Sequence, residues 1–202
     1  MKYPKMRELK EAIISLVTPA YTSKFPKVAH IPFENFRGKP VVDNENCVGC
    51  VTCANVCPPE AVTYTDDKEK GSRTIKRDYG KCIFCGQCQE HCITAKGVIL
   101  SDKIYDLAVF DRKNNVEFQE KELLICRNCH SVITTKEHLY YMHRKLGPKA
   151  FSSILNLNML NEKLHLAEGQ DIDIEIMDGL KRKDMFNIIC PNCLRQVLIK
   201  YL

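Results

Sequence analysis

Eight of the twelve cysteines fall into two runs with the same spacing. In each run, two, two and three residues separate the successive cysteines. Three thiolates on one tight loop can bind three irons of a cubane, and this spacing is the one by which proteins hold [4Fe–4S] clusters, which transfer single electrons. The sequence therefore predicts two [4Fe–4S] clusters, held by Cys47, Cys50, Cys53 and Cys57 in the first run and by Cys82, Cys85, Cys88 and Cys92 in the second.

The fourth cysteine of each run is expected to cross to the other cluster. That exchange is the rule in bacterial-type ferredoxins with two clusters. We therefore predict the ligand sets Cys47, Cys50, Cys53 and Cys92 for cluster 1, and Cys82, Cys85, Cys88 and Cys57 for cluster 2. Pro58 follows the first run, whereas Ile93 stands where a second proline is usual, which predicts a local change of turn.

Other uses of these eight cysteines are less well supported by the pattern. A disulfide framework needs an oxidising compartment, and the N-terminal residues do not have the pattern of a secretory signal. Two zinc sites could use cysteine pairs, but zinc rarely takes four cysteines at this spacing twice in one chain. The spacing thus favours the two-cluster interpretation.

The remaining four cysteines form two Cys-x-x-Cys pairs, Cys126 with Cys129 and Cys190 with Cys193. Paired motifs of this kind are typical of a tetrahedral four-cysteine site, usually structural zinc. A rubredoxin-like iron stays open, because both metals accept four thiolates. The segment from Cys126 to His130 also matches the c-type haem pattern, but haem attachment belongs to exported proteins and would leave the second pair without a role.

The charge of the chain argues against a nucleic-acid partner. The formal net charge is +5, but each cluster or zinc with four thiolates carries about −2, so the loaded protein is at roughly −1. The sequence also contains no nucleophile–base pair, phosphate loop or paired carboxylates. We therefore expect no nucleic-acid partner and no catalytic residues in this chain.

Residues 1–39 are predicted to form an N-terminal amphipathic helix and a docking arm. Apolar residues recur at helical spacing from Met6 to Val17, and a segment rich in proline and glycine follows. The helix is too short and too charged to span a bilayer. Two alternatives stay open: it packs on its own domain, or it docks on a membrane-bound partner or at the membrane interface.

Residues 40–102 are predicted to form the two-cluster ferredoxin domain. Each half has a short strand, a cysteine loop, a helical turn and a return strand, and this duplication accounts for the crossed ligands. The strands are expected at Val41–Asp43, Ala61–Thr65, Thr74–Arg77 and Gly97–Leu100. The charged insertion Asp66–Arg73 is expected to be an exposed hairpin loop.

Residues 103–202 are predicted to form a four-cysteine, zinc-ribbon-like docking domain with a helical insertion. The residue pattern predicts helices at Thr135–Leu146 and Ser152–Leu166, with a break at Gly147 and Pro148. Strands are expected at Asp171–Ile176 and from Val197 onward, beside the second cysteine pair. The fold class is therefore α+β, with a central bacterial-type 2[4Fe–4S] ferredoxin module.

Several segments resemble one known family. Phe36–Pro40, Cys82–Glu90 and Tyr105–Val109 resemble the formate hydrogenlyase iron–sulfur subunit. That family supplies the two-cluster subunit of membrane-bound, energy-converting [NiFe]-hydrogenases, and it is related to the two-cluster subunit of respiratory complex I. The resemblance covers most of residues 33–130 and again 190–195, where the cysteine pairs look like the tail of the formate hydrogenlyase version.

The resemblance implies an electron-transfer subunit that does no bond chemistry of its own. It implies a peripheral position on the cytoplasmic side of the cell membrane, with the hydrogenase small and large subunits, an electron-donor module and membrane-arm subunits as partners. One alternative is the equivalent subunit of a complex I-type, quinone-reducing oxidoreductase. Others are a free-standing ferredoxin or a soluble iron–sulfur and zinc-ribbon binding protein.

Overall fold

The structure is a computed structural model that describes residues 5–19, 33–102, 111–166 and 187–200. Within these ranges the chain contains six α-helices, and its six strands form one two-stranded and one four-stranded sheet. Short helices lie between the antiparallel strands of the first half of the chain, and three longer helices follow the last described strand, so the fold is a mixed helix and sheet fold.

The cysteine module consists of two interleaved halves. Its first strand pairs antiparallel with its last, and its two inner strands pair with each other. A short helix follows each cysteine loop. The elements are β1 (Pro40–Val42), α2 (Thr52–Asn55), β2 (Val62–Asp67), β3 (Ser72–Asp78), α3 (Gln87–Glu90) and β4 (Val98–Leu100). The predicted duplication is therefore present, and each half completes the sheet of the other.

The loop predicted at Asp66–Arg73 is shorter in the structure, so both of its predicted ends are wrong. The strands continue through Asp67 and from Ser72, so only a turn at 68–71 remains. Asp66 and Arg73 are cross-strand partners, and Arg73 Nε lies 2.6 Å from Asp66 Oδ1. Opposite charges directly across a strand pair stabilise it by about 0.2–1 kcal/mol. This ion pair explains why a charged segment is strand here.

The four-stranded sheet continues into the C-terminal part of the chain. Strand β5 (Val116–Ile125) pairs with β3, and β6 (Val132–Thr135) pairs with β5, in the order β2-β3-β5-β6. Neither β5 nor β6 was expected from the sequence. The division into domains at 102 and 103 stays a prediction, and the two segments share this sheet.

The predicted helices of the tail are present. They are α4 (Lys136–Leu146) and α5 (Ile154–Lys163), separated by a 3₁₀ segment that begins at Gly147, where φ is +55°. The strand expected from Val197 is wrong, because α6 (Pro191–Lys200) occupies those residues. Pro191 suits a first helical position, because its missing N–H needs no partner there. The expected strand Asp171–Ile176 lies outside the described residues.

The buried core of the tail lies between the sheet and the helices. Leu124 on β5, Met159 on α5 and Ile188 pack together, and Met159 is 1% exposed. A second buried cluster contains Ile189 and three cysteines. The two clusters share the partly buried Ile133 of β6, so the four-cysteine region is continuous with the tail's apolar core.

Helix α1 spans Met6–Val17, as predicted. None of its residues is buried, and its apolar residues at both ends, Met6 and Leu16, are more than 80% exposed. In the described residues, α1 thus presents its apolar side to solvent. Among the described residues, no helix is both long enough and apolar enough to cross a bilayer.

Candidate iron–sulfur and four-cysteine metal centres

The two cysteine loops have the same local backbone shape. In each loop, the residues on either side of the second cysteine have positive φ: 69° and 57° at Gly49 and Val51, and 53° and 83° at Phe84 and Gly86. Such left-handed turns aim consecutive side chains into the concave side of a loop. The two cysteine loops therefore present their cysteines from the same local backbone conformation.

Gly49 is also required by packing. A Cβ at this position would lie 3.0 Å from Cγ2 of Thr135 and 3.1 Å from Cγ of Lys121. These side chains belong to β6 and β5, so the C-terminal strands press directly against the first cysteine loop. A larger residue there would both strain the turn and separate the loop from the sheet.

The first three cysteines of run one face a cavity that also contains the last cysteine of run two. Its cysteine lining is Cys47, Cys50, Cys53, Cys88 and Cys92. Apolar side chains complete the wall, namely Val48, Val51, Ile75, Ile93 and Val98. Five thiols line this largely apolar enclosure, and four of them, Cys47, Cys50, Cys53 and Cys92, are the set predicted for one [4Fe–4S] cluster, whose environment limits water.

The fourth cysteine of run one lies beside the second run. Burial raises the pKa of the Cys82 thiol, and the neighbouring Cys57 and Cys85 add to that rise. Burial also raises the pKa of Cys88 to about 11, with Cys53 and Cys82 contributing. Cys88 therefore interacts with Cys53 of the first run and with Cys82 of the second, so the two sets of thiols are adjacent.

The pKa shifts within this group of cysteines differ. Burial raises the pKa of Cys53, Cys82 and Cys88. At Cys92, burial is outweighed by hydrogen bonds from Thr94, Gly97 and Val98, which lower the pKa of that thiol. A bare thiolate is costly in such a half-buried, crowded site, and a cationic metal centre removes that cost. None of the eight cysteines forms a disulfide, and all eight are partly exposed. Eight grouped free thiols are the donor set that two [4Fe–4S] clusters require.

Two polar residues that the sequence analysis missed approach the first group. Burial raises the pKa of Cys53, and Arg77 partly opposes that rise, with its Nη2 3.9 Å from the Cys53 sulfur. The Cys47 thiol donates to Oε1 of Gln119 at 3.4 Å. The strand alternation that places Arg77 on the same face as Ile75 was the available signal.

The four remaining cysteines converge at the other end of β5. The sulfurs of Cys126, Cys129, Cys190 and Cys193 all lie within 4.8 Å of one another, and His130 is not part of the group. The sulfurs of Cys129 and Cys190 are 3.6 Å apart. Zn–S bonds of about 2.3 Å in a tetrahedron place sulfurs about 3.8 Å apart. The geometry therefore fits a four-thiolate metal site.

Hydrogen bonds at this site favour the thiolate at Cys129 and Cys190, whose pKa values are lowered, but not at Cys193, whose pKa is raised. The hydroxyl of Ser131 lies 3.0 Å from the Cys129 sulfur and lowers the pKa of that thiol to about 6. The backbone N–H of Cys190 donates to the Cys126 sulfur at 3.2 Å. Cys129 is exposed whereas the other three cysteines are buried. The site is thus anchored in the core and reaches the surface at one ligand.

Similarity to known proteins identifies the family to which this chain belongs. The 4Fe-4S dicluster domain matches residues 33–96, so the chain contains a dicluster ferredoxin-like domain within a mixed helix and sheet fold. Formate hydrogenlyase subunit 6 of Escherichia coli is 35% identical over 124 residues, which cover 61% of this chain and 68% of that protein. The chain belongs to the family of iron–sulfur subunits that includes formate hydrogenlyase subunit 6, as its motifs predicted.

Quinone oxidoreductase subunits are also similar. NAD(P)H-quinone oxidoreductase subunit I of Gloeobacter violaceus is 35% identical over 96 residues, covering 45% of each chain. NADH-quinone oxidoreductase subunit I 2 of Geobacter metallireducens is 29% identical over 131 residues, covering 61% of this chain and 98% of that protein. The matched share of these relatives thus ranges from less than half to nearly all of their length.

One solved structure, of a membrane-bound sulfane sulfur reductase described as an archaeal respiratory membrane complex, contains a similar chain. The two share 26% identity with a TM-score of 0.35, over 57% of this chain and 61% of that one.

Proposed function

We propose that this chain is the electron-transfer iron–sulfur subunit of a membrane-associated [NiFe]-hydrogenase complex of the formate hydrogenlyase type. The observation that carries the proposal is the cavity that brings Cys92 to Cys47, Cys50 and Cys53. Family membership supports it independently. Two [4Fe–4S] clusters bound here would supply one-electron transfer.

The ligand assignment follows the crossed pattern. The first cluster would be held by the first three cysteines of run one together with Cys92. The second cluster would be held by the first three cysteines of run two together with Cys57. The shared cavity supports the first set, and the interaction of Cys57 with Cys82 supports the second. The apolar wall excludes water, and Cys88 keeps the two donor sets adjacent, which a short electron path requires.

We propose structural zinc at the four-cysteine site. All four coordination positions are filled by protein sulfurs, as in closed structural sites, and three of the cysteines lie in the tail's core. Bound metal would hold the end of β5 to the start of α6. A rubredoxin-like iron would use the same ligands and would be visible by EPR, so metal analysis decides between them.

We propose that α1 attaches the subunit peripherally at the cytoplasmic face of the membrane, through membrane-arm subunits. Its exposed apolar residues share one side of the helix: Met6, Leu9, Ile13, Leu16 and Val17. An exposed apolar stripe of this kind is stabilised by a partner or by the membrane interface. The other proposed partners are the hydrogenase small and large subunits and an electron-donor module.

Anaerobic affinity purification from the native organism, with subunit identification and metal analysis, tests these proposals together. We expect about eight irons and one zinc per chain, together with hydrogenase subunits. Nine irons without zinc would replace the structural site with a third redox site. Recovery without a hydrogenase or complex I-like partner would contradict the main proposal.

The attachment through α1 has its own test. Ile13→Glu should release the protein from the membrane fraction while leaving its iron content unchanged. Ser15→Glu adds the same charge on the opposite side of the helix and is the matched control, which should stay bound. Equal release of both variants, or of neither, would contradict attachment through the apolar side.

The second candidate is the equivalent subunit of a quinone-reducing complex. The similarity to the quinone oxidoreductase subunits of Gloeobacter violaceus and Geobacter metallireducens favours it. The purified complex separates the two candidates, because hydrogen evolution supports the first and quinone reduction without hydrogenase subunits supports the second.

A further inference from the structure

We propose that Arg77 raises the reduction potential of the first cluster by placing a buried, otherwise uncompensated positive charge beside its ligands. The inference rests on the cluster assignment proposed above. Arg77 lies on β3 and is 2% exposed. Its Nη2 is 3.9 Å from the Cys53 sulfur, and its Nη1 donates to Oε1 of Gln119 at 3.2 Å.

In the part of the chain that the structure describes, no carboxylate binds Arg77 directly. Gln119 is an uncharged amide, and among the described residues Arg77 takes part in no ion pair. Its cross-strand partner is Glu117, whose carboxylate accepts a hydrogen bond from the Tyr79 hydroxyl. A buried cation without a counterion is costly, so the expected counterion is the anionic site at Cys53.

Arg73 shows the contrast on the same strand. It is also buried and lies on the same face, but Asp66 binds it through two hydrogen bonds of 2.6 and 2.8 Å. Its Nη1 donates to the carbonyl oxygen of Gly49 at 3.0 Å. Arg73 is therefore paired with a carboxylate and holds the first cysteine loop through the carbonyl oxygen of Gly49. Arg77 has no such ion pair among the described residues.

The orientation of Arg77 is fixed from the other side. Gln119 on β5 is 6% exposed, and its Nε2 donates to Oδ1 of Asn44 at 2.8 Å. Its amide oxygen is therefore turned toward Arg77 and lies 3.4 Å from the Cys47 sulfur. Asn44 and Gln119 together keep the guanidinium against the ligands, so Arg77 is a positioning residue with an electrostatic effect.

The direction of that effect follows from charge. Reduction adds one negative charge to a site that already carries about −2. A fixed cation in a poorly solvated position stabilises the more negative state more than the less negative one. The potential of the first cluster is therefore higher with Arg77 than without it, and the more distant second cluster is affected less.

An anaerobic EPR redox titration of the purified protein tests this. In Arg77→Gln, the ratio of reduced to oxidised first cluster should fall at least about tenfold at the wild-type midpoint, which is about 59 mV for one electron. The midpoint of the second cluster should shift less than that of the first. The Cys92→Ala variant, which removes a ligand of the first cluster, assigns the two signals.

Three further variants separate electrostatics from folding. Lys76→Gln removes the same charge from an exposed neighbour on β3 and should shift neither midpoint, because water screens that charge. Arg77→Lys should restore most of the wild-type value. Gln119→Glu supplies Arg77 with a carboxylate at nearly constant shape and should lower the first midpoint even if Arg77→Gln fails to assemble its cluster.

Unchanged midpoints in Arg77→Gln or Gln119→Glu, with the first cluster intact, would overturn the inference. So would an equal fall in Lys76→Gln, or a failure of Arg77→Lys to recover the midpoint. Wild-type protein reconstituted with iron and sulfide that showed no cluster signal would instead contradict the proposed function, so the two failures are distinguishable.

Discussion

The hydroxyl of Thr135 donates a hydrogen bond to the carbonyl oxygen of Val48. Val48 lies in the first cysteine loop, and Thr135 is the N-cap of α4, where its hydroxyl also accepts from the backbone N–H of His138 at 3.3 Å. Thr135 is fully buried. One side chain therefore connects helix α4 to the loop that presents the first cluster ligands.

Thr135→Val should destabilise the protein by about 2–3 kcal/mol, because it removes a helix cap and leaves a buried carbonyl oxygen without a partner. Anaerobic denaturation followed by cluster absorbance should show a lower denaturant midpoint, with the first cluster lost early. Thr135→Ser keeps the hydroxyl and should lie close to the wild type. Equal midpoints for the valine and serine variants would show that the bond contributes little.

Two alanine variants test whether the fourth cysteine of each run binds the cluster of the other run. Cys57→Ala should damage the cluster held by the second run, and Cys92→Ala the cluster held by the first, because each removes a thiolate that crosses between the runs. EPR of the reduced proteins measures which signal is lost. The reverse pattern would overturn the ligand assignment.

The four-cysteine site should hold its metal independently of the clusters. Cys126→Ser should lose the single tail metal and lower the stability of the tail, because a buried thiolate ligand is removed. Elemental analysis should still find about eight irons per chain. His130→Asn changes a neighbour outside the converging group and tolerates the positive φ found there, so it should retain the metal. Metal loss in both variants would argue against the assignment.

His138 should make the fold less stable in mild acid. Burial lowers the pKa of His138 below its usual value of 6.5, and the nearby Arg73 lowers it further. The unfolded chain then binds a proton more readily than the folded one, so the contribution is complete above about pH 6.5 and is lost as the pH falls toward the folded pKa.

Denaturation at pH 7.5 and at pH 5.5 measures this contribution. His138→Gln has no such titration and keeps a side chain that can bond to Thr134, whose hydroxyl lies 2.7 Å from Nδ1 of His138. The loss of stability between the two pH values should be smaller in the variant than in the wild type. Identical losses would mean that His138 titrates in the folded protein as it does in water.

The sequence by itself determined the features that depend on the spacing of residues close together in the chain. The intervals between cysteines predict the ligands of each loop, because a short loop can close around a cubane in few ways. The apolar period from Met6 to Val17 predicts α1, and Gly147 with Pro148 predicts the break after α4. In each case neighbours along the chain carry the whole pattern, and the structure agrees with it for α1 and for the break after α4.

The tertiary structure alone decided which distant residues meet. Arg77 and Gln119 are 42 residues apart in the chain, and no local pattern in either segment indicates that β3 and β5 pair. The charged segment from Asp66 became strand because Arg73 lies opposite it, and the residues from Val197 became helix once Pro191 began one. Burial and long-range pairing set the polar surroundings of the first cluster site, since charge and solvation depend on contacts in space rather than on sequence.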